Sequence, residues 1–177
     1  PRLPALRAAA PDIAISITAM ERPPNLKRVP FDLSIFYRPP GEGQVLADDV
    51  IFPVCAPSLA ATLREPADLL SATCLTDATW AGDWAAWMRK AAPELDFAPR
   101  GPLFSLYALA VMEAVNGAGV LIGHEALIRD ELASGRLIAP FATRVALPRR
   151  LSIATVGPAK ARGAAARVVA LLKAQRR

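Results

Sequence analysis

Residues 104–127, FSLYALAVMEAVNGAGVLIGHEAL, hold three glycines and, at His124, the only imidazole of the chain. Two chemistries would use such residues: glycines that let the backbone close round a phosphate, and a histidine that moves a proton. A phosphate-cradling turn needs its glycines after a strand and before a helix, so that the anion meets the helix N-terminus. Here the order is reversed. Asn116-Gly117 sits where a helix ends, Gly119 opens the apolar strand Val120-Leu121-Ile122, and Gly123 gives the exit into a next helix. These glycines read as connectors. His124, alone at an expected helix start, reads as structural. The chain has no Gly-x-Ser-x-Gly and no Walker-type loop, and Asp48, Asp49, Asp77 and Asp83 show no spacing that marks an acid–base pair. The expectation is a protein that binds and does not catalyse.

What that stretch offers a ligand lies at its strand-to-helix junctions, residues 104–106 and 123–125. In a parallel sheet such junctions gather at the carboxyl edge of the strands, and helix N-termini there present unpaired N–H groups to a small carboxylate or other anion. Ser105 is equally readable as a helix N-cap or as a ligand contact. Cys55 and Cys74 lie 19 residues apart with no Cys-x-x-Cys. No zinc-type ligand set is available, no metal or cofactor is expected, and the two thiols read as free and buried.

The elements that must position these residues follow from periodicity. A basic and apolar helical rhythm over 2–10 stops at Pro11. Alternating apolar residues predict strands over 12–18, with Ile13, Ile15 and Ile17 on one face, over 31–38, and over the long run 45–57. Short helices are predicted near 59–63 and 66–70, and a strand over 73–77. Trp80, Trp84 and Trp87 at i, i+4 and i+7 predict one helix face, a stripe that reads as core. A helix over 124–135, strands near 136–139 and 150–157, and a terminal helix over 160–175 complete an alternation that predicts an α/β chain with mostly parallel sheets.

Composition agrees with a folded domain: 53% of the 177 residues are hydrophobic and 21% charged. No run is long and apolar enough for a membrane span, and no signal layout opens the chain, which begins as a fragment of a longer protein would. The net charge of +5 is unevenly spread, since no acidic residue follows Glu131 while ten lysines and arginines do. That basic tail reads as a solvated helix face rather than a nucleic-acid surface.

Taken in order, RLPALRAAAPDIAISI, FDLSIFYR, VIFPVCAPSLAATLREPADLL, the glycine-bearing stretch and ELASGRLIAPF resemble the effector-binding domain of LysR-type transcriptional regulators, and within them the subgroup that includes the glycine-cleavage activator. The resemblance implies an α/β, two-lobed, periplasmic-binding-protein-like (type 2) fold with two crossover strands. Lobe I would comprise residues 1–53 and 154–177, and lobe II residues 54–153. It implies a small-molecule effector in the interlobe cleft, a homodimer (a tetramer in the full-length protein), a cytoplasmic location, and DNA contact only through an N-terminal winged helix-turn-helix absent from this sequence.

Motif positions carried over from the family give the expected contacts. Thr18, Ala19 and Met20 end the second family strand. Phe36, Tyr37 and Arg38 follow it in the next loop, and Arg38 is either the carboxylate partner or a surface arginine before Pro39-Pro40. Thr76, Asp77 and Trp80 come from the third element, although Trp80 also reads as a core aromatic. Ser105 and Leu106 come from the helix start, and Val156 and Gly157 from the return crossover. The family's first strand, with its Ser/Thr loop, is not in this sequence. A transporter solute-binding protein and, less so, a small α/β enzyme are the alternative readings; the effector is expected to be a small carboxylate or amino-acid-like molecule.

Overall fold

A computed structural model describes residues 2–20, 22–156 and 163–174. The chain forms two units, residues 1–49 with 148–177, and residues 50–147. It passes between them twice, inside the strands β2 (Gln44–Val54) and β6 (Val145–Thr155). The family resemblance had suggested divisions after residues 53 and 153.

The first unit holds α1 (Arg2–Ala9), β1 (Leu33–Arg38), the opening of β2, most of β6, and α6 (Ala164–Ala174). β1 pairs antiparallel with β6, from Leu33 opposite Thr155 to Arg38 opposite Arg150, and β6 lies beside β2. Leu6, Ala10, Leu46, Ile153, Val168 and Leu172 are buried in its core, where α1 and α6 pack together. Arg167 of α6 donates to both Asp12 oxygens, at 2.6 and 3.1 Å, and this pairing holds the Asp12 carboxyl below its ordinary pKa. Gly43 turns the chain into β2 with φ +74°. A Cβ there would stand 2.6 Å from the Ile153 carbonyl oxygen, so the turn requires glycine.

The expected strand over 12–18 does not form. Ile13 and Ile15 are half-buried but Ile17 is 58% exposed, and the segment finds no ladder partner among the described residues. Alternation alone does not make a strand without a neighbour to take its N–H groups.

The second unit contains the rest of β2, α2 (Pro57–Ala60), a 3-10 helix (Pro66–Leu70), β3 (Cys74–Asp77), α3 (Asp83–Ala91), β4 (Leu103–Phe104), α4 (Tyr107–Val115), β5 (Val120–His124) and α5 (Arg129–Ala133). β3 runs parallel to both β4 and β5, but β5 is antiparallel to β2, with Ile51 opposite His124. The sheets are therefore mixed, and the mostly parallel expectation is corrected. The cause is connectivity: β2 leads through α2 and the 3-10 helix into β3 rather than crossing over to its own neighbour. Asp68 opens the 3-10 helix by accepting from the Arg64 and Glu65 N–H groups, which lowers its carboxyl pKa.

Trp84 and Trp87 anchor this unit. Both are buried, and their indole N–H groups donate to the carbonyls of Leu75 and Thr143, each at 3.1 Å. Trp80 is not on their helix; it lies in the turn before α3, so the three-tryptophan stripe reduces to two. The helix expected over 124–135 shortens to Arg129–Ala133 because His124 is still the last residue of β5. The strand expected near 136–139 is a single bridge, Cys55 to Ile138. Gly123 stays inside β5, where a Cβ would stand 2.4 Å from Ile128 Cδ1.

Two outcomes follow from this packing. Trp87→Ala should destabilise the second unit by about 3–5 kcal/mol, against less than about 0.5 kcal/mol for the exposed Leu103→Ala, read by urea denaturation. Burial pushes both the Cys55 and Cys74 thiols up to about 11, so neither is an effective nucleophile near neutrality. An aromatic disulfide reagent at pH 8 should leave both thiols unmodified in the folded protein and titrate both in denaturant.

Candidate functional site

In the second unit, the ends of β3 and β5 and the starts of α3 and α4 bring four side chains together. His124 is 1% exposed and its Nε2 stands 3.1 Å from Asp83 Oδ2. The Trp80 ring packs on the imidazole with centroids 4.0 Å apart, and Tyr107 meets both rings edge-on, 4.8 Å from Trp80 and 5.3 Å from His124. The Tyr107 hydroxyl donates to the Ile122 carbonyl at 3.2 Å and accepts the His124 backbone N–H at 3.0 Å. One phenol thus closes the backbone hydrogen bonding at the end of β5.

Thr76, Asp77 and Trp80 border this cluster, and Asp77 accepts the Thr79 N–H at 2.8 Å. The cavity they share with His124 measures about 10 Å³, room for about one water. A carboxylate-paired histidine is suited to proton transfer, but no substrate fits beside this one. The arrangement holds the sheet to its helices.

In the first unit, Arg38 ends β1 and borders a cavity of about 260 Å³ with Ala154, Thr155 and Val156 of the β6 end and with Pro24–Lys27. Arg38 donates to Ser34 Oγ at 2.8 Å, and its other terminal nitrogen lies 4.0 Å from the exposed Glu42. Its Nε is buried with no hydrogen-bond partner among the described residues. Phe36 and Tyr37 are half-buried on β1; the Phe36 ring lies 5.9 Å from the Arg38 guanidinium and the Tyr37 ring 5.9 Å from that of Arg149. Arg149 in turn meets the fully buried Asp49.

The structure therefore gathers the expected residues into two groups, Arg38 with Val156, and Thr76 with Asp77 and Trp80. Thr18, Ala19 and Met20 are exposed and border neither cavity. Ser105 and Leu106 are likewise exposed and outside both. The N-cap of α4 is Leu106 with no side-chain hydrogen bond, so Ser105 does not cap the helix. Gly157 lies outside the described residues. Sequence reasoning missed the Asp83–His124 pair, whose members are far apart in sequence and share no motif. It also missed Asn25, Lys27 and Thr155; a proline-broken polar stretch gave no signal of a wall.

The family profile described as the LysR substrate binding domain matches residues 1–177, and the chain belongs to that family. It is 31% identical over 151 residues to the glycine cleavage system transcriptional activator of Escherichia coli (strain K12), a match covering 80% of this chain and 48% of that protein. To the HTH-type transcriptional activator AmpR of Rhodobacter capsulatus it is 33% identical over 154 residues, covering 84% and 52%. The chain thus spans about half the length of these curated relatives, which are regulators of transcription. The effector domain of the transcriptional regulator AmpR of Pseudomonas aeruginosa superposes with a TM-score of 0.80 at 24% identity, covering 99% of this chain and 86% of that one. The fold is the periplasmic-binding-protein-like type 2 fold of such domains.

Tyr107→Phe isolates what the phenol contributes. With the buried His124 N–H left without its acceptor, stability should fall by about 1–3 kcal/mol, and hydrogen exchange at that amide should accelerate while the α6 amides stay protected. Unchanged exchange at His124 would show that another group takes the phenol's place.

Proposed function

We propose that this chain is the ligand-sensing part of a LysR-type transcriptional regulator, and that its effector is a small carboxylate or amino-acid-like molecule. The observation that carries the reading is the cavity of about 260 Å³ in the first unit, bordered by Arg38, in a chain that belongs to this family along its whole length. That volume lies just below the usual range of ligand pockets, which favours a small ligand over a drug-sized one. A guanidinium that borders the cavity is a natural partner for a carboxylate, since charge-assisted bonds are the strong ones.

Such a sensor acts by binding one state of the protein more tightly than another, so that ligand shifts the balance between them. In this reading DNA is contacted by a segment outside this sequence, the protein assembles as a homodimer and in full length as a tetramer, and it works in the cytoplasm. Among the described residues no helix is long and apolar enough to cross a membrane. Val156 belongs to the same proposed contact set as Arg38. Thr76, Asp77 and Trp80 form a separate set that becomes available only if the rings around His124 part.

Thermal unfolding against a panel of small carboxylates, amino acids and aromatic acids tests the reading. A true effector at about 100 times its Kd should stabilise by about 2.7 kcal/mol. Arg38→Ala should then weaken binding by about 1.5–3 kcal/mol, roughly ten- to hundredfold, with the fold intact. A panel without a single concentration-dependent shift would contradict the sensor assignment.

A further inference from the structure

We infer that the cavity of the first unit is built for a small doubly charged anion, a dicarboxylate or a phosphate, with Lys27 and Arg38 as its paired cations. The inference rests on the ligand-sensing reading and narrows its ligand. Three features point the same way.

First, Lys27 and Arg38 border one cavity although they come from different segments, the turn at 25–28 and the end of β1. The turn is fixed locally: Asn25 Oδ1 accepts the Lys27 N–H at 3.1 Å, and the Arg28 N–H donates to the Asn25 carbonyl at 2.9 Å. Lys27 is therefore held beside the cavity by its own backbone.

Second, Arg38 stands directly opposite Arg150 in the β1–β6 ladder. Opposed residues share a face of the sheet, and like charges so placed are destabilising. Arg150 has Asp48 at 3.1 Å, whereas the acid nearest Arg38 is Glu42 at 4.0 Å, largely in solvent. An anion at Arg38 would offset the repulsion.

Third, the Arg38 Nε is buried without a partner among the described residues, a state that normally calls for an explanation. Thr155 also borders the cavity, and Ala154, Val156 and Leu26 give its apolar remainder. Two cations and little volume select a compact anion with two charges over a monoanion or an aromatic acid.

Isothermal titration of the domain at constant ionic strength tests this with four probes: succinate, inorganic phosphate, acetate and the neutral isostere succinamide. Succinate or phosphate should bind saturably and at least tenfold more tightly than acetate, and succinamide should not bind; which of the two dianions wins identifies carboxylate or phosphate as the chemistry. Lys27→Met and Arg38→Met should each weaken the dianion at least tenfold, while Arg89→Met, an exposed cation of the second unit, should leave it unchanged. Lys27 is exposed, so its variant keeps the test valid if Arg38→Met fails to fold. Absence of dianion binding, equal affinity for succinamide, or indifference to Lys27→Met would overturn the inference. A neutral ligand found by the thermal panel and unaffected at Lys27 would overturn it too, while leaving the sensor reading standing.

Discussion

A buried carboxylate at the chain's first crossing sets the terms for the first unit. Asp49 is fully buried in β2 and takes the Arg149 guanidinium from β6, a hundred residues later. Alone, either charge would be costly in that position; removing one member of such a pair typically costs about 3–5 kcal/mol. The pair joins the two strands through which the chain leaves and re-enters the unit, and Asp48 with Arg150 repeats the link one residue on. Fixing β6 beside β2 also fixes it against β1. That register places Arg38 opposite Arg150 and Thr155 opposite Leu33, and so shapes the cavity. The cavity is a consequence of how the crossing strands are pinned.

The two units divide the work differently. In the second, the tryptophans of α3, the Asp83–His124 pair and the Tyr107 hydroxyl leave a space for about one water. Its aromatic rings satisfy one another, and its polar atoms reach backbone groups. The first unit has a smaller buried core, an unpaired guanidinium nitrogen and an open cavity bordered by two cations. Dense packing closes the second unit; in the proposed reading, incomplete polar satisfaction in the first is where a ligand would gain free energy by arriving.

Much of the fold was legible because its strands bury alternate or successive apolar residues. β1, β2, β3 and β5 appear where alternation or continuous burial put them, and α4 ends at the expected Asn116-Gly117, with Gly117 at φ +83°. Failures occurred where local pattern had no tertiary support. Residues 12–18 alternate yet pair with nothing described, Trp80 keeps helical spacing but sits in a turn, and Ser105 lies one residue before the N-cap position of α4. For the candidate site, Arg38 and Val156 were reachable through the resemblance to a family. Lys27, Asn25 and Thr155 were not, because a polar stretch broken by Pro23-Pro24 carries no periodicity, and only the β1–β6 register brings the far wall to it.

An amide chemical-shift map of the domain, recorded with and without a saturating ligand identified by thermal stabilisation, tests the central claim most directly. The account predicts perturbations concentrated at Leu26, Lys27, Arg38 and Thr155. Shifts that leave those amides unmoved and fall around Ser105 and Leu106 instead would contradict it.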